Sequence, residues 1–197
     1  QWLKNLNLEV PNTIEELEAV LTAFKEQDAN GNGDPNDEIP FTGIGLGTDF
    51  LMPFGINDPN GTGYLINEDG SASYLYTSEQ YKEGIKWAHK LYEAGLIDNE
   101  TFTQDQSIRD AKCDDPEVSR VGFGYAWSYD AIFRRWMNEY AVIAPLAGPD
   151  GVRYQQGDKN GVSSLKSNQL SITTVCKYPE VVLRWADQFY TGEASIQ

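Results

Sequence analysis

Histidine is nearly missing from this chain, with His89 alone, and cysteine is scarce, with only Cys113 and Cys176. Neither cysteine has zinc-ligand spacing, so a structural zinc centre or a Cys–His nucleophile lacks its parts. His89 falls on a helix with no ligand-spaced partner and reads as a surface residue. Two cysteines are too few to define a disulfide framework, and their pairing stays open. No apolar run approaches the ~20 residues that cross a bilayer, and no basic leader opens the chain. The first residues, Gln1-Trp2, and the last, Ser195-Ile196-Gln197, are expected to be cuts through a longer protein. Any export signal or lipid anchor then lies outside it. Positive charge is also short: 15 basic against 30 acidic residues give a net charge of −15. Such a surface repels phosphate backbones and anionic headgroups, which argues against nucleic acid as a partner.

What remains is an ordinary globular composition, 40% hydrophobic and 23% charged, enough for one core of normal size. A helix is predicted over Ile14–Gln27, capped by Thr13 with Glu16 completing a capping box. Its apolar face is Ile14, Leu17, Val20, Leu21 and Phe24. Residues 39–66 read as strand and loop, rich in glycine and aromatics, with Ile39-Pro40-Phe41 and then Phe50 to Gly55. A hairpin follows, Gly63–Ile66 and Ala72–Tyr76 around the turn Asn67-Glu68-Asp69-Gly70. A second helix spans Ser78–Ala94, capped by Thr77, with Tyr81, Ile85, Ala88, Leu91 and Tyr92 inward and Gly95 as a left-handed stop. Val121–Trp127 is a buried strand, residues 130–140 a helix, and 142–146 and 170–175 short strands, with a turn at Pro149-Asp150-Gly151 leading into Val152-Arg153-Tyr154. Pro179 opens a last helix, ended by Gly192, with Val182, Leu183, Trp185, Ala186 and Phe189 on its apolar face. Helices and strands alternate without a repeat, which gives an α/β or α+β class.

The run Asp28-Ala29-Asn30-Gly31-Asn32-Gly33-Asp34-Pro35-Asn36-Asp37-Glu38 carries the clearest chemistry. Oxygen-bearing side chains stand at alternate positions, Gly33 allows a sharp turn, and two carboxylates close the run. Calcium takes six to eight oxygens, and D-x-N-x-N-G is the first half of an EF-hand loop. The second half departs: Glu38 is at loop position 11 rather than 12, and Ile39-Pro40 continues as extended chain. Asp28, Asn30 and Asn32 are expected to donate side-chain oxygens, Asp34 its carbonyl, and Asp37 and Glu38 to close the shell around a structural Ca²⁺. The competing reading is a solvated turn of Asx motifs.

These pieces come in a distinctive order. Thr13-Ile14-Glu15-Glu16-Leu17 runs into the acidic loop ending Asp37-Glu38-Ile39-Pro40. Phe54-Gly55 and the Asp69-Gly70 hairpin follow, then Leu91-Tyr92-Glu93-Ala94-Gly95-Leu96-Ile97-Asp98, Tyr178-Pro179-Glu180 and Arg184-Trp185-Ala186-Asp187. The chain resembles the extracellular solute-binding proteins of ABC importers, specifically the large oligosaccharide-binding lipoproteins that include alginate-oligosaccharide-binding proteins. The resemblance implies a periplasmic-binding-protein-like (type II) α/β fold, with a mixed sheet flanked by helices. It implies two lobes with sugar in the cleft, residues 1–197 being mainly the C-terminal lobe, and calcium in the 28–38 loop placed away from the sugar. It also implies a monomer working with ABC transporter permease subunits, lipid-anchored at the extracellular face of the membrane or periplasmic. One departure is an extra residue before Asp37-Glu38, which leaves the roles of Asn36 and Asp37 open.

Sugar is held by aromatic faces and a few polar groups. Trp127, Tyr125, Ser128 and Tyr129 end a buried strand, and Phe50, Phe54 and Asn57 flank a glycine-rich loop; each of these aromatics also suits a core. A calcium-dependent glycoside-processing enzyme is the alternative, but no carboxylate pair stands out for it. A calcium-stabilised interaction module is another, but it calls for two loops in tandem.

Overall fold

The computed structural model describes residues 1–56, 58, 61–66, 69–126, 128–154 and 170–190. Two compact units emerge, Gln1–Gly157 and Asp158–Gln197. In the first, a short helix α1 (Trp2–Asn5) precedes α2 (Ile14–Glu26). The five apolar residues predicted to face inward on α2 are all buried. Thr13 Oγ1 accepts the Glu16 amide at 3.2 Å, but the Glu16 carboxylate reaches past the cap to the Asn12 amide, 2.7 Å away. The chain entering the helix is itself bridged to Ala147, whose carbonyl accepts from Ile14 and whose amide donates to Asn12.

Strand β1 (Ile39–Thr42) pairs in parallel with the distant Val121–Gly124, matching Ile39 to Val121 and Phe41 to Phe123. Helix α2 packs on this pair. Gly122 makes that possible: a Cβ there would stand 2.4 Å from the Phe24 ring and 2.7 Å from Trp2. Those two rings meet edge to face at 5.1 Å over the bare backbone.

Strands β2 (Tyr64–Ile66) and β3 (Ala72–Tyr74) form the expected antiparallel hairpin; Asn67 and Glu68 of its turn lie outside the described residues. The second strand stops at Tyr74, because Leu75–Thr77 wind into a 3₁₀ turn that buries Leu75. That turn moves the next cap. Thr77 donates its hydroxyl to the Tyr74 carbonyl, so Ser78 caps α3 (Glu79–Glu93) by accepting the Tyr81 amide. Ile85, expected inward, is 42% exposed. Gly84 is buried in its place, where Leu51 and Phe54 come within 3.4 Å of a would-be Cβ. Gly95 (φ 67°) ends the helix as predicted, and the Leu96 amide reaches back to the Leu91 carbonyl.

Helix α4 (Gln106–Cys113) was not expected; Asp105 caps it by accepting the Ser107 and Ile108 amides. The strand Val121–Gly124, now β4, runs through Tyr125 into α5 (Tyr129–Ile132), and a 3₁₀ segment Arg134–Glu139 replaces the rest of the predicted helix. Within Phe50–Gly55, Met52–Phe54 form a 3₁₀ turn. The predicted strands 142–146 and 170–175 find no partner strand among the described residues; after the turn, Arg153 makes a single bridge to Ala147. In the second unit, α6 (Pro179–Asp187) begins at proline as predicted, while Gly192 lies outside the described residues. Leu183 and Trp185 on α6 are more than half exposed within this structure. No helix among the described residues is long and apolar enough to cross a membrane.

Candidate cation loop and ligand cavity

The acidic run closes on itself between the end of α2 and the start of β1. Asp28 organises the turn: Oδ1 accepts the Gly31 and Asn32 amides at 2.8 and 3.0 Å, and Oδ2 accepts Gly33 at 2.9 Å. Gly31 and Gly33 take φ of 79° and 94°, which side-chain-bearing residues rarely adopt. Asn30 and Asn32 each use Oδ1 on a backbone amide two residues ahead and donate Nδ2 to Asp37, at 2.7 and 2.8 Å. Asp37 is therefore the hub, with the Arg120 guanidinium 3.8 Å from its Oδ2. Asp34 is turned to Asn36, accepting both its amides.

Glu38 points back into the loop, its Oε1 accepting the Ala29 amide at 2.9 Å and Asn30 more distantly. Its other oxygen, Oε2, is buried with no hydrogen-bond partner. Burial pushes the Glu38 carboxyl above its ordinary value, against the pull of those backbone amides, and the neighbouring Asp37 charge adds to the rise. A buried carboxylate oxygen without a donor is a destabilising feature that a hard cation relieves. Among the described residues no three His, Cys, Asp or Glu side chains gather as a metal-holding group. A shell here would depend on asparagine and carbonyl oxygens as much as on carboxylates, which is the donor set calcium accepts.

A second D-x-N-G-x-G run, beginning at Asp58, escaped the sequence reading. Asp58, 7% exposed, accepts the Thr62 and Gly63 amides at 3.0 and 2.7 Å, as Asp28 accepts Asn32 and Gly33. It leads into β2 instead of a closing carboxylate pair.

The aromatics sort differently. Tyr125 leaves the end of β4 with its phenol oxygen accepting the Gly47 amide at 3.0 Å. Its ring stacks on Phe41 at 5.9 Å, and burial raises its pKa. Phe50 is buried and stacks on Trp87 at 5.0 Å, and Phe54 lies tilted against Trp87 at 5.7 Å. A cavity of about 1000 Å³ opens here, its wall including Asp49, Phe50, Trp87, Tyr125, Ser128 and Tyr129. Ser128 bonds Asp130, and Tyr129 is 42% exposed. Phe54 does not line the cavity, and Trp127 and Asn57 lie outside the described residues. Trp87 was missed from sequence because a tryptophan on an amphipathic helix reads as packing. His89 is exposed beside Glu93, as expected. Both cysteines are free thiols, and Cys113 is buried.

No family model matches the chain. Over 202 positions and its whole length it is 38% identical to the fructooligosaccharide ABC transporter substrate-binding protein FusA of Streptococcus pneumoniae, of which it spans 36%. Over 122 residues, 59% of the chain and 23% of the relative, it is 33% identical to Lipoprotein LipO of Bacillus subtilis. Two solved structures of the FusA protein, one with kestose and one an EF-hand mutant with fructo-nystose, each match all of this chain and 39% of theirs. Both have a TM-score of 0.68, at 33% and 32% identity. An HMO-binding, ABC-transporter-associated solute-binding protein from Bifidobacterium longum infantis also matches all of the chain, at TM-score 0.71 and 29% identity, with 42% of its own length covered. The fold is that of these type II solute-binding proteins, and the chain spans well under half the length of the relatives it matches.

Proposed function

We propose that this chain, which belongs to the extracellular solute-binding proteins of ABC importers, is mainly the C-terminal lobe of a protein that captures an oligosaccharide for import and performs no chemistry on it. The observation that carries this reading is similarity along the entire chain to a sugar-binding component, at 38% identity. The cavity beside Tyr125 suits such a ligand. Aromatic faces can stack on the apolar faces of sugar rings, and a few polar groups such as Ser128 and Asp49 fix the hydroxyls. The full protein would close its two lobes on the ligand and pass it to permease subunits at the extracellular face of the membrane, held there by a lipid anchor.

The same reading places Ca²⁺ in the Asp28–Glu38 loop. The buried, partnerless Glu38 Oε2 supports it. The ion would neutralise the acidic ring and tie the end of α2 to the start of β1. Asp28 already holds the turn through three amides, while Asn30, Asn32 and Asp37 now bond one another and would re-aim their oxygens inward. In this reading the ion's role is structural.

The test is titration calorimetry of the complete protein against fructo-, gluco- and galacto-oligosaccharides, with chromatography of the sugars afterwards. Saturable binding with the sugars recovered intact supports capture. Cleaved products would point to the glycoside-processing alternative, and no binding across the panel would overturn the assignment.

A further inference from the structure

Away from the cavity, the hairpin carries a row of tyrosines that nothing above uses. Tyr64 on β2 stands directly opposite Tyr74 on β3, with ring centres 5.3 Å apart. Tyr76, in the 3₁₀ turn that follows, meets Tyr74 at 5.4 Å, and Tyr81 in the first turn of α3 meets Tyr76 at 5.0 Å. Tyr81 packs on the core and roots the row. Exposure rises outward from it, with Tyr76 41%, Tyr74 45% and Tyr64 61% exposed. The backbone is shaped around these rings. The buried Asp58 carboxylate holds the Gly63 amide, and a Cβ on Gly63 would stand 2.6 Å from the Tyr76 ring and 3.0 Å from Tyr74. Only a glycine lets the two rings lie over the chain at that point.

A single cross-strand pair is enough to stabilise a short hairpin; three exposed rings in series exceed that need. The choice of residue is informative. Tyrosine offers a ring face and a hydroxyl at the same place, which matches a surface that is alternately C–H and O–H. Residues 61–76 contain no lysine or arginine and include Glu68 and Asp69. Phosphate groups, anionic lipids and acidic polysaccharides are therefore unsuited to this face.

We propose that Tyr64, Tyr74 and Tyr76 form an outer subsite for neutral oligosaccharide, contacting sugar units beyond those held in the cavity. This rests on the oligosaccharide-binding reading and adds that the protein favours longer chains.

The experiment uses the complete protein, with titration calorimetry against a series of neutral oligosaccharides of increasing length. Wild type is compared with Tyr64→Ala, Tyr64→Phe and the double variant Tyr64→Ala/Tyr74→Ala, and unfolding curves are recorded for each. The shortest ligands should bind all four proteins alike. The longest should bind Tyr64→Ala about five- to tenfold more weakly, the loss expected for one stacked ring. The double variant should lose more, and Tyr64→Phe should retain most of the affinity. Equal affinity of wild type and variants at every length would overturn the subsite. So would lowered stability with no length-dependent change in binding, which would make the row a packing surface for another part of the protein. Failure of wild type to bind any member of the series would instead overturn the capture reading itself.

Discussion

Lys112→Met should destabilise the first unit strongly, because Lys112 holds a nearly buried carboxylate. Its ammonium lies 2.6 Å from Asp98 Oδ2, with the two side chains only 19% and 9% exposed. Asp98 also accepts the Thr42 hydroxyl at 2.7 Å and the Glu100 amide at 3.0 Å, and its own amide donates to the Phe41 carbonyl. Gln104 locks the other side, donating to Thr42 Oγ1 and to the Gly43 carbonyl. The cluster thus fastens the end of β1 to the segment after α3 and to α4. Burial opposes the charge on Asp98, yet Lys112, the Glu100 amide and the Thr42 hydroxyl together hold its carboxyl below the ordinary value. Desolvation likewise opposes Lys112, but Asp98 and Glu100 outweigh it and raise its pKa. Removing one partner of a buried pair costs about 3–5 kcal/mol, and the lower end, about 3, applies because Asp98 keeps two hydrogen bonds. For a chain of this size that is a fall in Tm of about 6–12 °C.

The loss has a defined pH range. A lowered carboxyl pKa stabilises the fold above its unfolded value, and that contribution disappears as pH falls through the lower, folded value. A raised lysine pKa stabilises below its unfolded value and fades as pH rises through the folded one. The gap between wild type and Lys112→Met should therefore be flat across neutral pH and narrow at both extremes. Urea unfolding followed by circular dichroism from pH 3 to 8 measures the acid side. Asp98→Asn/Lys112→Met should recover part of the loss, since asparagine can still accept from Thr42. A cost under about 0.5 kcal/mol at pH 7, the range of an exposed pair, would refute the argument. So would a gap unchanged in acid.

Calcium at a hundredfold excess over its dissociation constant should raise stability by about 2.7 kcal/mol, and Asp28→Ala or Glu38→Gln should abolish the shift. Identical melting curves with calcium and with chelator would remove the ion from the loop. Gly122→Ala forces a methyl into the Phe24 and Trp2 rings and should cost about 1–3 kcal/mol in urea unfolding, with a neutral result counting against the close packing described. Cys113, buried and pushed up to about 12, should resist iodoacetamide at pH 8 until the protein unfolds, as read by mass spectrometry; rapid labelling of the folded protein would contradict its burial.

Features governed by neighbours in the chain were readable before any coordinates. The five buried positions of α2, the Gly95 stop and the proline start of α6 follow from periodicity and backbone preference. The turn at Asp28 was equally legible, because its hydrogen-bond partners lie within five residues. Reading failed where distant groups decide. Residues 142–146 have strand composition but meet no partner strand among the described residues, and only Ala147 just beyond them bridges Thr13. Ile85 gave way to Gly84 because Phe54 and Leu51 press on the helix there. Thr77 lost the cap to Ser78 once the turn before it engaged its hydroxyl. The cavity wall joins Tyr125 to Gly47 and Phe50 to Trp87, contacts that no local pattern announces.

The parallel pairing of β1 with β4 has a temporal consequence. The two strands are separated by everything from Gly43 to Arg120, including the hairpin, α3 and α4. During synthesis β1 leaves the ribosome long before its partner exists, with Phe41 still in water. Helices and the hairpin can form meanwhile, since their contacts are local, but the sheet at the centre of the first unit must wait for a long loop to close. Slow assembly of this kind makes β4 the step at which the unit becomes committed to its fold.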